Sequence, residues 1–463
     1  MSRLIVVSNR VQDPAAGPGA GGLAVALGEA LEANGGVWIG WDGRVETDPL
    51  QPVSWNEHKS GNLTLLTTSL TPEEHEGYYL GFANRVLWPA FHYRLDLVDY
   101  TTDHARVYGA VNRRLAMKIA SILRPDDRIW IHDYHLIPLA AELRATGCGN
   151  PIGYFQHIPL PPPSILAAVP EVSWLVRALF AYDVVGFQTE TDRLHLIQKV
   201  QQLESDTESD GEYVTAFGRS TRVKSYPIGI DADRFAAMAR TPNAQEIINR
   251  IRQRNLNRSQ VIGVDRMDYS KGLPERMESV RRLFELYPEN RGAMTFMQIA
   301  PTSRGAVDAY VDLHERLDSL SGEINSKFSD FDWTPIRYIN RQFPRETLAA
   351  LYRASRAALI TPLRDGMNLV AHEYVAAQDP DDPGMPVLSR FAGAAEYMDE
   401  ALLINPYNID QVAIALQTAL QMPLKERKRR HKALMKVVHD LDVSRWSSRF
   451  LNDLSQLLRA VPG

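Results

Sequence analysis

The sequence predicts an α/β protein of two doubly wound, Rossmann-like domains facing each other across a cleft. Three observations lead there. Short apolar runs alternate with amphipathic stretches from one end of the chain to the other. Those runs are continuously apolar, the pattern of parallel strands covered on both faces. The alternation also comes in two series that meet near SYPIGIDADRF.

In the first series the strands are LIVVS, GVWIGW, RIWIHD, IGYFQH and DVVGFQ. The helices between them are GLAVALGEALEA, VNRRLAMKIASIL, LIPLAAELR and TDRLHLIQKVQQL. QQLESDTESDGEY is polar and acidic and reads as an exposed excursion. In the second series the strands are QVIGVDR, MTFMQIA, IRYIN, AALITP, PVLSR and ALLINP, and the helices include LPERMESVRRLFELY, AVDAYVDLHERLDSL, RETLAALYRAS and NLVAHEYVAA. DVSRWSSRFLNDLSQLLRA has an Asp/Ser helix start and no strand after it, so it is expected to cross back onto the first domain. The expected divisions are 1–235, 236–440 and a terminal helix at 441–463.

The 463 residues leave room for two or three domains. With 44% hydrophobic and 23% charged residues, the composition is that of a soluble globular protein. A formal net charge of -5 gives no basic field for nucleic acid or an anionic membrane, so any anion must be held by local cations. The single cysteine, Cys148, excludes an internal disulfide and suits a reducing cytosol. MSRLIVVSNRV lacks the apolar length and cleavage site of a signal peptide, and no run reaches the ~18 apolar residues of a membrane span. The expectation is a cytoplasmic protein with no nucleic-acid or membrane partner.

Doubly wound sheets bind ligands outside the carboxyl ends of their strands. Arg10 follows LIVVSN, Asp133 and His135 follow RIWIH, and His157 ends IGYFQH. Arg266 follows VIGVD, Arg304 follows MQIAPTS, and Asp365 follows ITPLR. Polar strand ends in both halves point to one functional site. In VDRMDYSKGLPER, Arg266 and Lys271 flank a tight turn, either as a solvated loop face or as partners for a strong anion. TPLRDGMNLVAHEY decides between them: Asp365-Gly366 turns the chain and a helix starts near Asn368, offering free N–H groups and a positive dipole end to a phosphate. A planar forked cation and a point cation together fit a pyrophosphate. Asp365 and Glu373 stand about two helical turns apart and could read separate sugar hydroxyls; the plainer reading of Glu373 is a partly exposed helix residue.

Other motifs compete. Gly17 to Gly22 satisfies G-x-G-x-x-G, with Asp42 ending the next apolar strand. NRVQDPAA separates those glycines from their strand, so they read as a loop over the cleft, with Gly21-Gly22 letting backbone approach a ligand. YYLGFANRVLWPAFHYRLD offers rings for sugar faces, or an aromatic core patch. IPLPPPSIL is a rigid loop. The acidic run QDPDDPG reads as a turn and not a metal site, and no metal or cofactor is expected.

The segments VVSNRV, GGLAVAL, LWPAFHYRLD, WIHDYHLIPLA, HIPLPPP, GFQTETDR, YPIGID, DRMDYSKGLPER, QIAPTSRG and TPLRDGMNLVAHEYVAAQ closely resemble the trehalose-6-phosphate synthase family, retaining glucosyltransferases of the GT-B fold. The resemblance spans nearly the whole chain. It implies an active site between the two domains, with 1–235 on the acceptor side and 236–440 on the donor side. It implies that Arg266, Lys271, Asp365 and His157 carry the chemistry. Arg266 and Lys271, with the helix start at Leu369 and Val370, would meet the donor diphosphate. Glu373 would hold the ribose, Phe343 would line the nucleobase pocket, and Asp365 and His157 would contact the donor glucose. Gly22 would close the loop over the donor. Arg10, Tyr79, Asp133 and Arg304 would bind glucose 6-phosphate, with Trp88 beside it.

The expected activity is glucose transfer from UDP-glucose, or another nucleotide-glucose, to glucose 6-phosphate with retention, by a homo-oligomer that needs no cofactor. Other readings of the residues stay open: a glucosylglycerol-phosphate synthase with the same donor half, a nicotinamide dehydrogenase using the glycine pattern, and a sugar-phosphate sensor without turnover.

Overall fold

The structure, a computed structural model, describes residues 3–11, 27–28, 31, 35–48, 53–255, 258–302 and 308–456. The chain divides into two compact units, Met1–Ile228 with Ser444–Gly463, and Gly229–Val443.

In the first unit the strands are β1 (Leu4–Arg10), β2 (Gly36–Val45), β3 (Trp55–Ser60), β4 (Leu63–Leu70), β5 (Arg128–His132), β6 (Ile152–Phe155), β7 (Val184–Phe187), β8 (Glu208–Ser209), β9 (Tyr213–Ala216) and β10 (Arg219–Ser225). They lie in the order β3-β4-β2-β1-β5-β6-β7-β10-β9-β8. The stretch from β4 to β10 is parallel, while β3, β9 and β8 pair antiparallel at the edges. Counted over its parallel members the order runs third, second, first, fourth, fifth, sixth, seventh, so the winding reverses between β1 and β5. The central strands are buried on both faces, hence their unbroken apolar runs. Helices α1 (Thr102–Ala120), α2 (Leu139–Ala145) and α3 (Glu190–Leu203) belong to this unit. Thr101 and Thr189 cap α1 and α3, each accepting from the backbone N–H three residues on.

In the second unit the strands are β11 (Ser259–Val264), β12 (Met294–Ile299), β13 (Ile336–Ile339), β14 (Ala357–Ile360), β15 (Met385–Ser389) and β16 (Leu402–Ile404). They form an all-parallel sheet in the order β13-β12-β11-β14-β15-β16, reversing between β11 and β14. Helices α4 (Ala232–Met238), α5 (Leu273–Leu286), α6 (Arg345–Arg353) and α7 (Leu369–Ala377) belong to this second unit. The last helix, α8 (Val443–Gln456), packs on the first unit: Phe450 lies 5.0 Å from Trp130 and 5.1 Å from Tyr226, and Asp453 accepts from the Tyr226 hydroxyl at 2.7 Å.

One expectation needs correction. The division falls at Ile228/Gly229 and not at 235, because α4 packs on α6 and α7, with Phe235 6.3 Å from Tyr352. QQLESDTESDGEY is exposed over most of its length, as expected; it ends α3, supplies β8 and leads into β9. YYLGFANRVL, inside the aromatic stretch, forms most of a π-helical segment, His75–Leu87, preceded by a capping box between Thr71 and Glu74.

Candidate active site

In the first unit the expected residues gather where the winding reverses. Arg10 is the exposed last residue of β1, and its guanidinium lies 5.0 Å over the Trp41 ring. Gly43, at φ 91°, makes room: a Cβ there would sit 2.0 Å from that guanidinium. Tyr79, carried by the π-helical segment, meets Trp41 edge-on at 5.1 Å and stacks on His135 at 6.0 Å. His135 meets Tyr134 at 3.9 Å, and Tyr134 in turn lies 5.7 Å from Trp88. One aromatic chain thus links Arg10, Tyr79 and Trp88. Trp88 itself is buried, packed on His92 at 4.1 Å.

Asp133 follows β5 with φ 75° and ψ 165°, a region almost reserved for glycine. The strain is held by Asp133 N donating to Phe155 O at 2.8 Å, and Asp133 Oδ1 accepts from His157 N at 3.2 Å. The His157 ring lies 3.0 Å, nitrogen to nitrogen, from His132, the fully buried last residue of β5. Burial pushes His157 down to about 3, so its ring is neutral at physiological pH.

In the second unit the loops after β11 and β14 are tied together. Asp268 accepts from Ser270 N at 3.0 Å and from Tyr310 Oη at 3.2 Å, fixing a short turn over Tyr269–Lys271. Gly272 then adopts φ 60°, where a Cβ would lie 2.4 Å from Thr361 O. The turn carries Lys271 to Asp365, Nζ to Oδ2 2.6 Å. Asp365 also accepts from Gly366 N at 3.0 Å and Asn368 Nδ2 at 2.9 Å. Arg266 is exposed beside this pair in sequence. Beneath them Arg276, with no exposed surface, donates to Asp265, Thr361 and Gln298, and to the Lys271 carbonyl at 3.3 Å. Burial pushes the Asp265 carboxyl up against the pull of Arg276 and Lys271.

Helix α7 starts from Asn368 at φ 68°, whose side chain does not cap the first N–H groups. Leu369 and Val370 are half-buried at that start. One turn on, Glu373 accepts from Arg345 Nη2 at 3.2 Å, and burial raises its carboxyl while Arg345 opposes the rise. Phe343 lies on the loop before α6 under the Arg341 guanidinium at 4.6 Å.

The structure therefore brings together Lys271, Asp365 and the α7 start in one unit, and Arg10, Tyr79, Trp88, Asp133 and His157 around β1, β5 and β6 in the other. Gly22 and Arg304, like the Gly17–Gly22 pattern, lie outside the described residues. Sequence reasoning missed His132, Trp41, Arg276 and Arg345. The acidic run forms ion pairs, Asp379 with Arg353, Asp381 with Lys428, and Asp382 with Arg356 and Arg427. Among the described residues no group of three His, Cys, Asp or Glu side chains is placed to hold a metal, and no helix is long and apolar enough to cross a membrane.

Two doubly wound units with charged strand ends and an uncapped helix start at the switch point define a nucleotide-sugar transferase of GT-B type. Residues 8–456 match the model of glycosyltransferase family 20, and the chain belongs to that family. It is 47% identical to the trehalose-6-phosphate synthase of Enterobacter sp. (strain 638), over 98% of this chain and 96% of that one. Identity to the Cronobacter sakazakii trehalose-6-phosphate synthase is 46%, over 100% and 97% of the two chains. Among solved structures it resembles the UDP-forming α,α-trehalose-phosphate synthase of Burkholderia xenovorans in complex with glucose-6-phosphate, at TM-score 0.94 and 44% identity, covering 98% of this chain and 100% of that one. An E. coli structure bound with UDP-2-fluoro glucose matches at TM-score 0.93 and 46% identity, covering 98% and 99%.

Proposed function

We propose that this protein transfers glucose from UDP-glucose to C1 of glucose 6-phosphate with retention, giving α,α-trehalose 6-phosphate and UDP. The observation that carries the reading is similarity along essentially the whole chain, at 44–47% identity, to proteins named for this reaction, one of them holding glucose-6-phosphate and another a UDP-glucose analogue. On this reading Arg266, Lys271 and the N–H groups at Leu369 and Val370 take the diphosphate. Glu373 takes the ribose and Phe343 lines the base, while Asp365 and His157 address the donor glucose and Gly22 covers it. Arg10, Tyr79, Asp133 and Arg304 take the acceptor, with Trp88 beside it.

The chemistry then asks little of the protein beyond position and charge. The acceptor hydroxyl attacks from the face the diphosphate leaves, through an oxocarbenium-like state, and the departing diphosphate takes the hydroxyl proton. No carboxylate need act as nucleophile, unlike the paired carboxyls of a retaining hydrolase. Asp365 suits that restraint, since its oxygens are already engaged by Lys271, Gly366 and Asn368. Charge grows on the diphosphate as the bond breaks, and cations and helix dipole are preorganised to meet it.

A cytoplasmic location fits the single cysteine and the absence, among the described residues, of a membrane-spanning helix. Homo-oligomerisation belongs to the same reading and is measured by light scattering. The deciding assay offers UDP-, GDP- and ADP-glucose with glucose 6-phosphate or glycerol 3-phosphate, reading nucleotide release and product mass. UDP release with a disaccharide phosphate is expected; turnover only with glycerol 3-phosphate, or none, overturns the proposal.

A further inference from the structure

We propose that His132 sets the tautomer and ring angle of His157, acting as a positioning residue that never touches substrate. The inference deepens the reading above, in which His157 addresses the donor glucose. His132 is the last residue of β5 and has no exposed surface. Its ring lies among Trp130 at 4.5 Å, Phe155 at 6.5 Å and Trp446 of α8 at 6.3 Å. Its Nδ1 is 3.0 Å from His157 Nε2, and its Nε2 is buried with no hydrogen-bond partner among the described residues.

Two neutral imidazoles sharing one hydrogen bond have two arrangements. In the first, His132 Nδ1–H donates to His157 Nε2, and the orphaned His132 Nε2 is a bare lone pair facing rings. In the second, His157 Nε2–H donates to His132 Nδ1, and the orphan is a buried N–H donor. An orphaned buried N–H is rarer in proteins than an under-satisfied acceptor. The orphaned Nε2 thus favours the first arrangement, which leaves the proton of His157 on Nδ1. A sugar oxygen meeting Nδ1 would then find a donor of fixed direction.

Burial supports neutrality, lowering both rings from their ordinary values; for His132 the neighbouring His157 adds to it. The next residue completes the clamp, because Asp133 Oδ1 accepts from His157 N at 3.2 Å. Consecutive residues at the end of β5 thus hold the ring and the backbone of His157. A purely packing role for His132 predicts none of this directionality.

The test uses the full chain labelled with ¹⁵N-histidine and two-bond ¹H–¹⁵N NMR, which reads which nitrogen of each ring is protonated. The expected parent result is a protonated Nδ1 and bare Nε2 for both residues. His132→Asn keeps a donor near the Nδ1 position, so it should keep the His157 tautomer and near-parent kcat/KM. His132→Leu should leave His157 with averaged tautomers and lower kcat/KM for UDP-glucose by about 10-fold, the upper worth of one neutral hydrogen bond, with KM for glucose 6-phosphate unchanged. A parent His157 protonated on Nε2 overturns the proposal outright, whatever the variants do. So does a folded His132→Leu with an unchanged His157 spectrum and unchanged kcat/KM. Absence of UDP release by the parent would sink the functional reading alone, since the tautomer is read without turnover.

Discussion

Lys271 Nζ donates to Asp365 Oδ2 across 2.6 Å, joining the loop after β11 to the loop after β14. The two side chains keep only 10% and 15% of their surface exposed, so Lys271 is not part of a solvated loop face. Removing one partner of a largely buried pair strands the other charge and costs about 3–5 kcal/mol. Lys271→Met should therefore lower the unfolding free energy by about that much in urea titrations. Lys271→Met/Asp365→Asn should recover a large part, because the stranded carboxylate is gone. Strict additivity of the two single effects would show that the pair is not coupled.

On the proposed function, the same lysine faces a second demand when charge grows on a departing diphosphate. Losing one preorganised contact of this kind costs about 10²–10³ in rate. Arg266→Ala and Lys271→Ala should each lower kcat by roughly that factor. Arg266 is exposed, so its variant should lose less stability than Lys271→Ala does. Near-parent kcat in both would remove them from the chemistry.

Burial governs how much of the fold the sequence made legible. Strands such as QVIGV and MTFMQI are covered on both faces, so composition alone betrays them. β4, LTLLTTSL, lies in the first parallel sheet yet interleaves threonines, so its run lacks the continuous apolar signature. Arg266, Lys271, Asp365 and Glu373 stand out because they sit at strand ends or a helix start. His132 hides inside the apolar run RIWIH, and Arg276 reads as an ordinary helix charge until its partners Asp265, Thr361 and Gln298 are seen. Arg345 and Trp41 act on Glu373 and Arg10 from distant parts of the chain, and pairing across such separation leaves no local signal.

His157 carries a pH prediction. Its ordinary value is 6.5 and burial takes it down to about 3. As pH falls below 6.5 the unfolded chain binds this proton and the native chain does not, so native stability falls from pH 6.5 toward pH 3 and is complete above 6.5. The Asp133 carboxylate is present in parent and variant alike, and His132 stays lowered chiefly by its own burial. His157→Gln should flatten the stability profile between about pH 4.5 and 6 by about 1.4 kcal/mol per pH unit. An identical slope in the variant would mean that His157 is charged or exposed in the native state.

Metal removal tests the charge inventory. Arg266, Lys271 and the α7 dipole supply positive charge at the proposed diphosphate position. Activity should survive dialysis against EDTA and show no further rise on adding Mg²⁺ or Mn²⁺. Loss of turnover with EDTA, restored by either ion, would assign part of that neutralisation to a cation.

Glu373 offers the sharpest check on the donor side. Its carboxylate accepts from Arg345 Nη2 at 3.2 Å and keeps 14% of its side-chain surface exposed. A carboxylate held this way suits a ribose hydroxyl, which needs an acceptor. Glu373→Gln keeps the shape and removes the charge, replacing a charge-assisted bond of about 1.5–3 kcal/mol with a neutral one of about 0.5–1.5 kcal/mol. KM for UDP-glucose should rise about 10-fold, with KM for glucose 6-phosphate unmoved. The 2′-deoxy and 3′-deoxy analogues of the donor each lack one ribose hydroxyl, so the substitution should cost at least one of them little, and parent, variant, donor and analogue close a double cycle. Arg345→Ala should also weaken donor binding, since it removes the cation that opposes the burial-driven rise of the Glu373 carboxyl. Equal losses for donor and both analogues in Glu373→Gln would place the carboxylate away from the ribose and reopen the assignment of the α7 start.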